Sequence, residues 1–417
     1  MKRSFVIIIG ILMACTTKVL AVDHIMFTPL DTTQLPIIKE SRTGGGIVRT
    51  ALAGNMMWKN TYANLVRNNF SAKSVKQVMD LLFNTTHRHM VSISCAYWSE
   101  NVNGDSLLVS GKIYLPKNRN LRGIVVVNHY TITTNYEAPS NLFQMDCIYA
   151  MKDYAVVMPD YEGYGLSADE QHPYLHWRSA AKTAIDLLDC MPDILDYYGY
   201  TYPNDVVITG YSQGGAVALG VARMIEEMGE QDKWQDNEID WTVRKLYAGA
   251  GPYDPATTYV HSVNHGTIGI PAAIPLIVLG LCDAYDLPCS AEDFFVEPLL
   301  SNYEDWVLSK QYTVGEINQR MGSTRMAELM TAEALDMNSP IARMLYEVLR
   351  WNSNVGYDLQ SPAYFLHSVD DVVVPLINTA NLINNMPNDE DISYDIDHYG
   401  SHMEASIPFM KYVYQDI

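Results

Sequence analysis

Continuous apolar runs recur along the chain at 123–128 (GIVVVN), 154–159 (YAVVMP) and 205–210 (DVVITG). Runs this short and this rich in β-branched residues predict strands buried on both faces, as in a parallel sheet. Helical patterns at 141–151, 174–198 and 214–228 lie between and after them. In the second, Ala181, Ala184, Ile185, Leu188 and Met191 recur at the spacing of one helix face. Upstream, 91–98 and 107–116 alternate around the turn cluster Asn101-Val102-Asn103-Gly104-Asp105, which predicts a hairpin. Strands alternating with helices predict an α/β fold, with a mostly parallel central sheet and helices on both faces.

The rhythm stops after 245–251. Residues 254–355 hold helix-like stretches and no clear strand. The sheet pattern resumes at 362–367 (PAYFLH) and 392–396, each followed by a helix. The chain therefore reads as a core in two parts, 91–253 and 356–417, with a helical cap inserted at 254–355. The cap's apolar residues Ile268, Ile270, Ile274, Leu276, Ile277 and Val278 either shape a hydrophobic binding site or pack the cap onto the core. Residues 22–90 are mixed in character and predict a mostly helical extension, broken at Gly44-Gly45-Gly46.

The first 21 residues have a different pattern. Lys2 and Arg3 precede an apolar run from Phe5 to Ala14, too short to span a bilayer but suited to a secretory leader. Two processing outcomes compete. The preferred one is cleavage after Ala21, at the end of Val19-Leu20-Ala21, giving a secreted or periplasmic protein. The alternative is lipidation of Cys15, because Leu12-Met13-Ala14-Cys15 is similar to a lipobox. A second apolar stretch, 268–281, is interrupted by Pro271 and Pro275 and is too short to cross a membrane. No transmembrane segment is expected once the leader is removed.

Composition narrows the partners. With 417 residues, 48% of them apolar, the chain can bury a sizeable core. Its 28 basic and 48 acidic residues give a formal charge of −20. Nucleic acid binding needs a basic face, so it is not expected, and an anionic membrane is disfavoured as a partner. Of six cysteines, Cys282 and Cys289 are close enough in sequence to form a small disulfide loop in an oxidising compartment. Cys95, Cys147 and Cys190 sit in apolar contexts that suit buried thiols. No C-x-x-C pair supports a structural zinc site.

The sharpest chemical feature is Gly210-Tyr211-Ser212-Gln213-Gly214-Gly215, which fits G-x-S-x-G. It follows a β-branched run and opens an Ala-rich helical pattern. A serine on so sharp a strand-to-helix turn needs small neighbours, and it stands at a helix N-terminus, where backbone N–H groups face a developing oxyanion. Such a serine needs a base, and the base an orienting carboxylate, supplied here in the order Ser, Asp, His. Asp370 and Asp371 both follow 362–367. Asp371 is preferred because it stands four residues before Pro375 and four after His367. Of the eleven histidines, only His398 and His402 follow the last strand pattern, and His402, just before the helical stretch 404–414, is preferred. The expected oxyanion donors are the N–H of Gln213 and that of Tyr130 or Thr131, in the loop Asn128-His129-Tyr130-Thr131. His129 reads as an anchor for that loop. The pairs His172/His176, His261/His265 and His398/His402 have i, i+4 spacing but lack the glutamate of H-E-x-x-H, so no metal and no cofactor are expected.

Together these residues resemble the secretory lipase family of α/β-hydrolases in its bacterial form. The resemblance covers most of 90–417. It is carried by SENVNGDSLLVSGKIYLP, by MPDYEGYGLS at 158–167, by HPYL, by GYSQGG, and by the Asp371 and His402 loops in order. The chain departs from the family at His129-Tyr130, where esterases often have His-Gly. The resemblance implies a helical cap, hydrolysis of carboxylic esters, and Ser212, Asp371 and His402 as a triad. A small-molecule or lipid ester is the expected substrate. A second reading keeps the triad but cleaves peptides or polysaccharide acyl groups, with Asp283, Asp286, Glu292 and Asp293 as candidate holders of a peptide amine. A third is a binding protein that retains the scaffold without the chemistry.

Overall fold

The computed structural model describes residues 20–21, 26–34, 90–142, 144–230 and 240–417. Its strands are β1 (Leu20–Ala21), β2 (Met26–Gln34), β3 (Met90–Glu100), β4 (Ser106–Pro116), β5 (Gly123–Asn128), β6 (Tyr154–Pro159), β7 (Asp205–Tyr211), β8 (Thr242–Gly249), β9 (Ala363–Ser368) and β10 (Ile392–Asp397). They form one sheet in the order β1-β2-β3-β4-β6-β5-β7-β8-β9-β10. The hairpin of β3 and β4 is antiparallel, and β4 meets β6 antiparallel. From β6 to β10 every pairing is parallel. The strand carrying Ser212 at its end, β7, lies between β5 and β8, inside the sheet.

The expected α/β architecture is present, and the alternation within each buried run shows how it is held together. In β5, Ile124 and Val126 enter one apolar cluster and Val125 and Val127 another, on opposite faces. The first face is covered by α1 (Trp177–Asp189), α2 (Met191–Tyr198) and α3 (Gln213–Glu230), with Leu382 of α8 (Ile377–Asn384) in the same cluster. The second is covered by the 3₁₀ turns at Met145–Lys152 and by α9 (His402–Asp416). Each aliphatic side chain so buried contributes about 1.5–3 kcal/mol relative to exposure. One helical pattern divides in two: 174–198 is broken at Cys190. Pro192 stands in the first turn of α2, where its missing N–H costs nothing, but it could not continue α1.

Between β8 and β9 the chain is helical, with α4 (Pro255–His265), α5 (Ala273–Ala284), α6 (Val314–Met321) and α7 (Pro340–Trp351) joined by shorter helical turns. These helices share an apolar cluster of their own, which includes Ile274, Val278, Leu281, Phe294, Ile317, Leu345 and Leu349. Cys282 at the end of α5 is disulfide-bonded to Cys289, while Cys95, Cys147 and Cys190 are buried free thiols. The segment is pinned to the core by Lys310. Its ammonium donates to the carbonyls of Gly163 (2.7 Å), Ala168 (2.6 Å) and Glu170, using all three of its N–H bonds. Thr133 Oγ1 adds a bond to Tyr312 O at 2.7 Å.

The leader expected at 1–21, with Cys15, lies outside the described residues apart from Leu20 and Ala21. In the extension expected to be mostly helical, the described stretch Met26–Gln34 is a strand, paired antiparallel with β3 and shifted in register between Pro29 and Asp31. Pro29 cannot donate to a helix ladder, and such a residue suits a sheet edge or a bulge. No helix among the described residues is long and apolar enough to cross a membrane.

Leu187, fully buried on α1, fills the space that a β-carbon on Gly111 would occupy. Leu187→Ala is expected to lower stability by about 2–5 kcal/mol, read as a fall in the urea midpoint with an unchanged slope.

Candidate active site

The turn from β7 into α3 dictates the geometry around Ser212. Ser212 has φ 60°, in the left-handed region that non-glycine residues seldom adopt. A β-carbon on Gly210 would collide with the carbonyl of Gly214, and one on Gly214 with the carbonyl of Asn128 at the end of β5. Glycine at these positions lets strand, helix and neighbouring strand converge beneath the serine. Ser212 N–H donates to Gly249 O at 2.9 Å, tying the turn to β8 as well.

Two side chains continue from Ser212. His402, the first residue of α9, has Nε2 2.8 Å from Ser212 Oγ and Nδ1 2.5 Å from Asp371 Oδ2. A carboxylate only accepts, so Nδ1 carries the proton and Nε2 offers its lone pair to the serine hydroxyl. Asp371 and His402 are both buried. The other Asp371 oxygen accepts the N–H groups of Val373 (2.8 Å) and Val374 (2.9 Å), which fixes the carboxylate plane. Burial by itself would raise the Asp371 carboxyl, but hydrogen bonds from His367 and His402 hold it well below the usual carboxylate range. The other two candidates, Asp370 and His398, pair with each other at 2.9 Å on the exposed surface.

Some residues that build this frame carry no motif. Tyr211 O–H donates to the carbonyl of His402 at 2.7 Å. His367 is fully buried: Nε2 donates to Val374 O at 2.9 Å and stands 3.5 Å from Asp371 Oδ2, while Nδ1 accepts from Thr379 Oγ1 at 2.6 Å. Its position four residues before Asp371 was the available clue.

Gln213, the first residue of α3, is buried, and its backbone N–H is one of those for which a helix start has no internal acceptor. Thr131 lines the same cavity as Ser212, whereas the Tyr130 side chain is 45% exposed. His129 is buried beneath this loop. Its Nδ1 is 2.7 Å from Tyr130 O, and its ring stacks on Tyr161 at 4.0 Å. Burial lowers its imidazole to about 4, so it stays neutral. His261 and His265 stack on each other at 3.9 Å.

The pocket at Ser212, partly open to solvent, spans about 770 Å³. Its walls are mainly apolar side chains of the helical segment, among them Ile268, Ile270, Ile274, Ile277, Val278, Leu345 and Leu349, with Val373 and Val374 from the Asp371 loop. Leu276, another candidate for the wall, packs in the cap's own core. None of the acidic residues Asp283, Asp286, Glu292 and Asp293 lines the cavity; Asp293 instead completes the capping box of Ser290.

No protein-family model and no curated protein matches the sequence. Solved structures do match the fold. The chain is similar to the rice cell wall degrading esterase LipA from Xanthomonas oryzae, with a TM-score of 0.68 at 19% identity over 81% of this chain and 91% of that one. The fold is that of the α/β-hydrolases. A putative hydrolase from Legionella pneumophila superposes with a TM-score of 0.66 at 18% identity, over 79% and 88% of the two chains. Candida antarctica lipase A does so with 0.54 at 14%, over 76% and 73%. In the α/β-hydrolase sheet of this chain, Ser212, Asp371 and His402 follow β7, β9 and β10 respectively.

One carboxyl near the site makes stability depend on pH. Burial raises Glu162 to about 7, against the counter-effect of the Val102 N–H it accepts and with reinforcement from Glu170 and Asp283. The folded protein therefore keeps a proton that the unfolded chain has released. This contribution is fully present below the ordinary glutamate value of 4.5 and is lost as pH rises through about 7. Glu162→Gln, which still offers an oxygen to Val102, is expected to flatten the fall of Tm between pH 5 and pH 8. Parallel Tm curves for the two proteins would refute the assignment.

Proposed function

We propose that the protein hydrolyses carboxylic esters by a serine mechanism, with Ser212 as nucleophile, His402 as base and Asp371 as its orienting partner. The hydrogen-bonded line from Asp371 through His402 to Ser212, ending at the mouth of an apolar cavity, is the observation that carries this reading. Ser212 Oγ adds to the ester carbonyl carbon while His402 Nε2 takes its proton. The carbonyl oxygen becomes an oxyanion, met by the N–H of Gln213 and that of Tyr130 or Thr131. The C–O bond to the alcohol then breaks, His402 returns the proton to the leaving oxygen, and an acyl-Ser212 remains. Water, deprotonated in turn by His402, releases the acid and restores the serine. Asp371 holds the Nδ1–H tautomer and stabilises the imidazolium formed in each half.

The apolar walls favour an ester whose acyl part is a hydrocarbon chain over a sugar or a peptide amine. Export fits this reading. The basic residues and apolar run at 1–21 suit a leader cleaved after Ala21, with lipidation at Cys15 as the alternative outcome. The disulfide between Cys282 and Cys289 suits an oxidising compartment.

Ser212→Ala is expected to lower kcat on p-nitrophenyl butyrate by on the order of 10⁶ with an unchanged Tm, and Asp371→Asn to lower it by about 10⁴. Asp370→Asn and His398→Ala should leave it unchanged. Turnover retained in folded Ser212→Ala would end the proposal.

Ile277→Trp narrows the cavity from α5. It is expected to shift preference among p-nitrophenyl esters towards shorter acyl chains, measured as kcat/KM from acetate to palmitate. An unchanged profile would place the acyl chain elsewhere.

A further inference from the structure

The segment His172-Pro173-Tyr174 lies between β6 and α1 and belongs to neither the triad nor the cap, yet it reaches both flanks of Ser212. Gln213 donates from Nε2 to His172 Nε2 at 3.0 Å. The tautomer follows from the far side of the ring: His172 Nδ1 is 2.7 Å from the carbonyl of Glu162, which only accepts, so Nδ1 carries the proton and Nε2 is free to accept from Gln213. Two residues on, Tyr174 and Thr131 share a hydrogen bond between their hydroxyls at 2.7 Å.

Both contacts are rigidly backed. The His172 ring is buried, with Tyr164 at 4.8 Å and Tyr174 at 6.0 Å between ring centres. Burial lowers its imidazole to about 3, partly opposed by the bond to Glu162, so its acceptor persists across ordinary pH. The backbone is confined from two sides: a β-carbon on Gly163 would press on His172 Cα, and one on Gly280 of α5 on His172 O.

We infer that His172 and Tyr174 are positioning residues that hold the two halves of the proposed oxyanion hole in register, His172 through the Gln213 side chain and Tyr174 through the Thr131 hydroxyl. The inference rests on the serine-hydrolase reading above. His172 touches Gln213 and does not line the cavity, while Tyr174 lines it beside Thr131, a residue of the second donor loop. Replacing only the Tyr174 hydroxyl keeps that wall, so the effect falls on the reaction step. An N–H displaced by a fraction of an ångström binds the ground-state carbonyl almost as before but meets the oxyanion poorly.

The test compares Tyr174→Phe, His172→Asn and His172→Gln with the full-length wild type. Asparagine can keep the bond to Glu162 O while losing the acceptor for Gln213, whereas the longer glutamine can place an amide oxygen near the position of Nε2. On p-nitrophenyl butyrate, Tyr174→Phe and His172→Asn should each lose about 10- to 100-fold in kcat, with KM and the shape of the pH profile unchanged. Labelling by a fluorophosphonate probe should slow in parallel, and His172→Gln should recover most of the rate. In a Gln213→Met background, His172→Asn should add little, since its route of action is already cut. Wild-type kcat in Tyr174→Phe and His172→Asn, or an equal deficit in His172→Gln, would overturn the inference while leaving an active hydrolase. A wild-type protein that neither labels nor turns over ester would overturn the hydrolase reading and this inference with it.

Discussion

Ser212 stands in a left-handed backbone conformation that only a fully constrained turn sustains. The constraint is steric before it is chemical. β5, β7 and α3 meet so closely that neither Gly210 nor Gly214 has room for a side chain. That convergence requires β7 to lie inside a parallel sheet, with β5 and β8 as its neighbours, and it requires α3 to leave at once towards the covered face. The alternating aliphatic residues of β5 and the Ala-rich face of α3 meet these demands with little bulk and no polar atoms. The hydrogen-bonded line to His402 and Asp371 can form because strand ends on one rim of the sheet bring three distant stretches of chain within a few ångströms.

Around this turn the polar frame is dense and buried. Asp371 spends one oxygen on two backbone N–H groups and the other on His402, with His367 beside it. Buried histidines with different duties surround the serine. His402 faces the hydroxyl, His129 lies under the loop after β5, and His172 accepts from Gln213. What separates them is the partner on each ring nitrogen rather than proximity to Ser212. Two of them, His129 and His172, are kept neutral by burial, so the frame they provide does not titrate under ordinary conditions.

The inner strands β5, β6 and β7 were legible from sequence because they are short continuous apolar runs, rich in β-branched residues and bounded by polar turns, whereas β2 was expected to be helical. The elbow was legible because glycine spacing there answers to backbone collision. The preferences for Asp371 over Asp370 and for His402 over His398 used only loop position; in the structure Asp371 bonds to His402 and His402 to Ser212, while Asp370 and His398 pair with each other on the surface. The division of 174–198 at Cys190 was missed although Pro192 stood in view, since the apolar periodicity runs on through the break. The contacts of His172 and Tyr174 were not legible: each depends on which atom of a distant residue it meets, and a hydrogen bond between residues 41 or 43 positions apart leaves no periodic trace.

The helical segment leaves the sheet after β8 and returns in β9, and these two strands are paired neighbours, Leu246 opposite Ala363 and Gly249 opposite Leu366. Its two ends are thus held side by side whatever lies between them. Because loop-closure cost grows only with the logarithm of length, a change in the length of this segment adds little to the cost of bringing β8 and β9 together. Most of the cavity wall and the hydrogen-bonded line from Ser212 to Asp371 thus lie on separate lengths of chain, so the wall can change while the line stays in place.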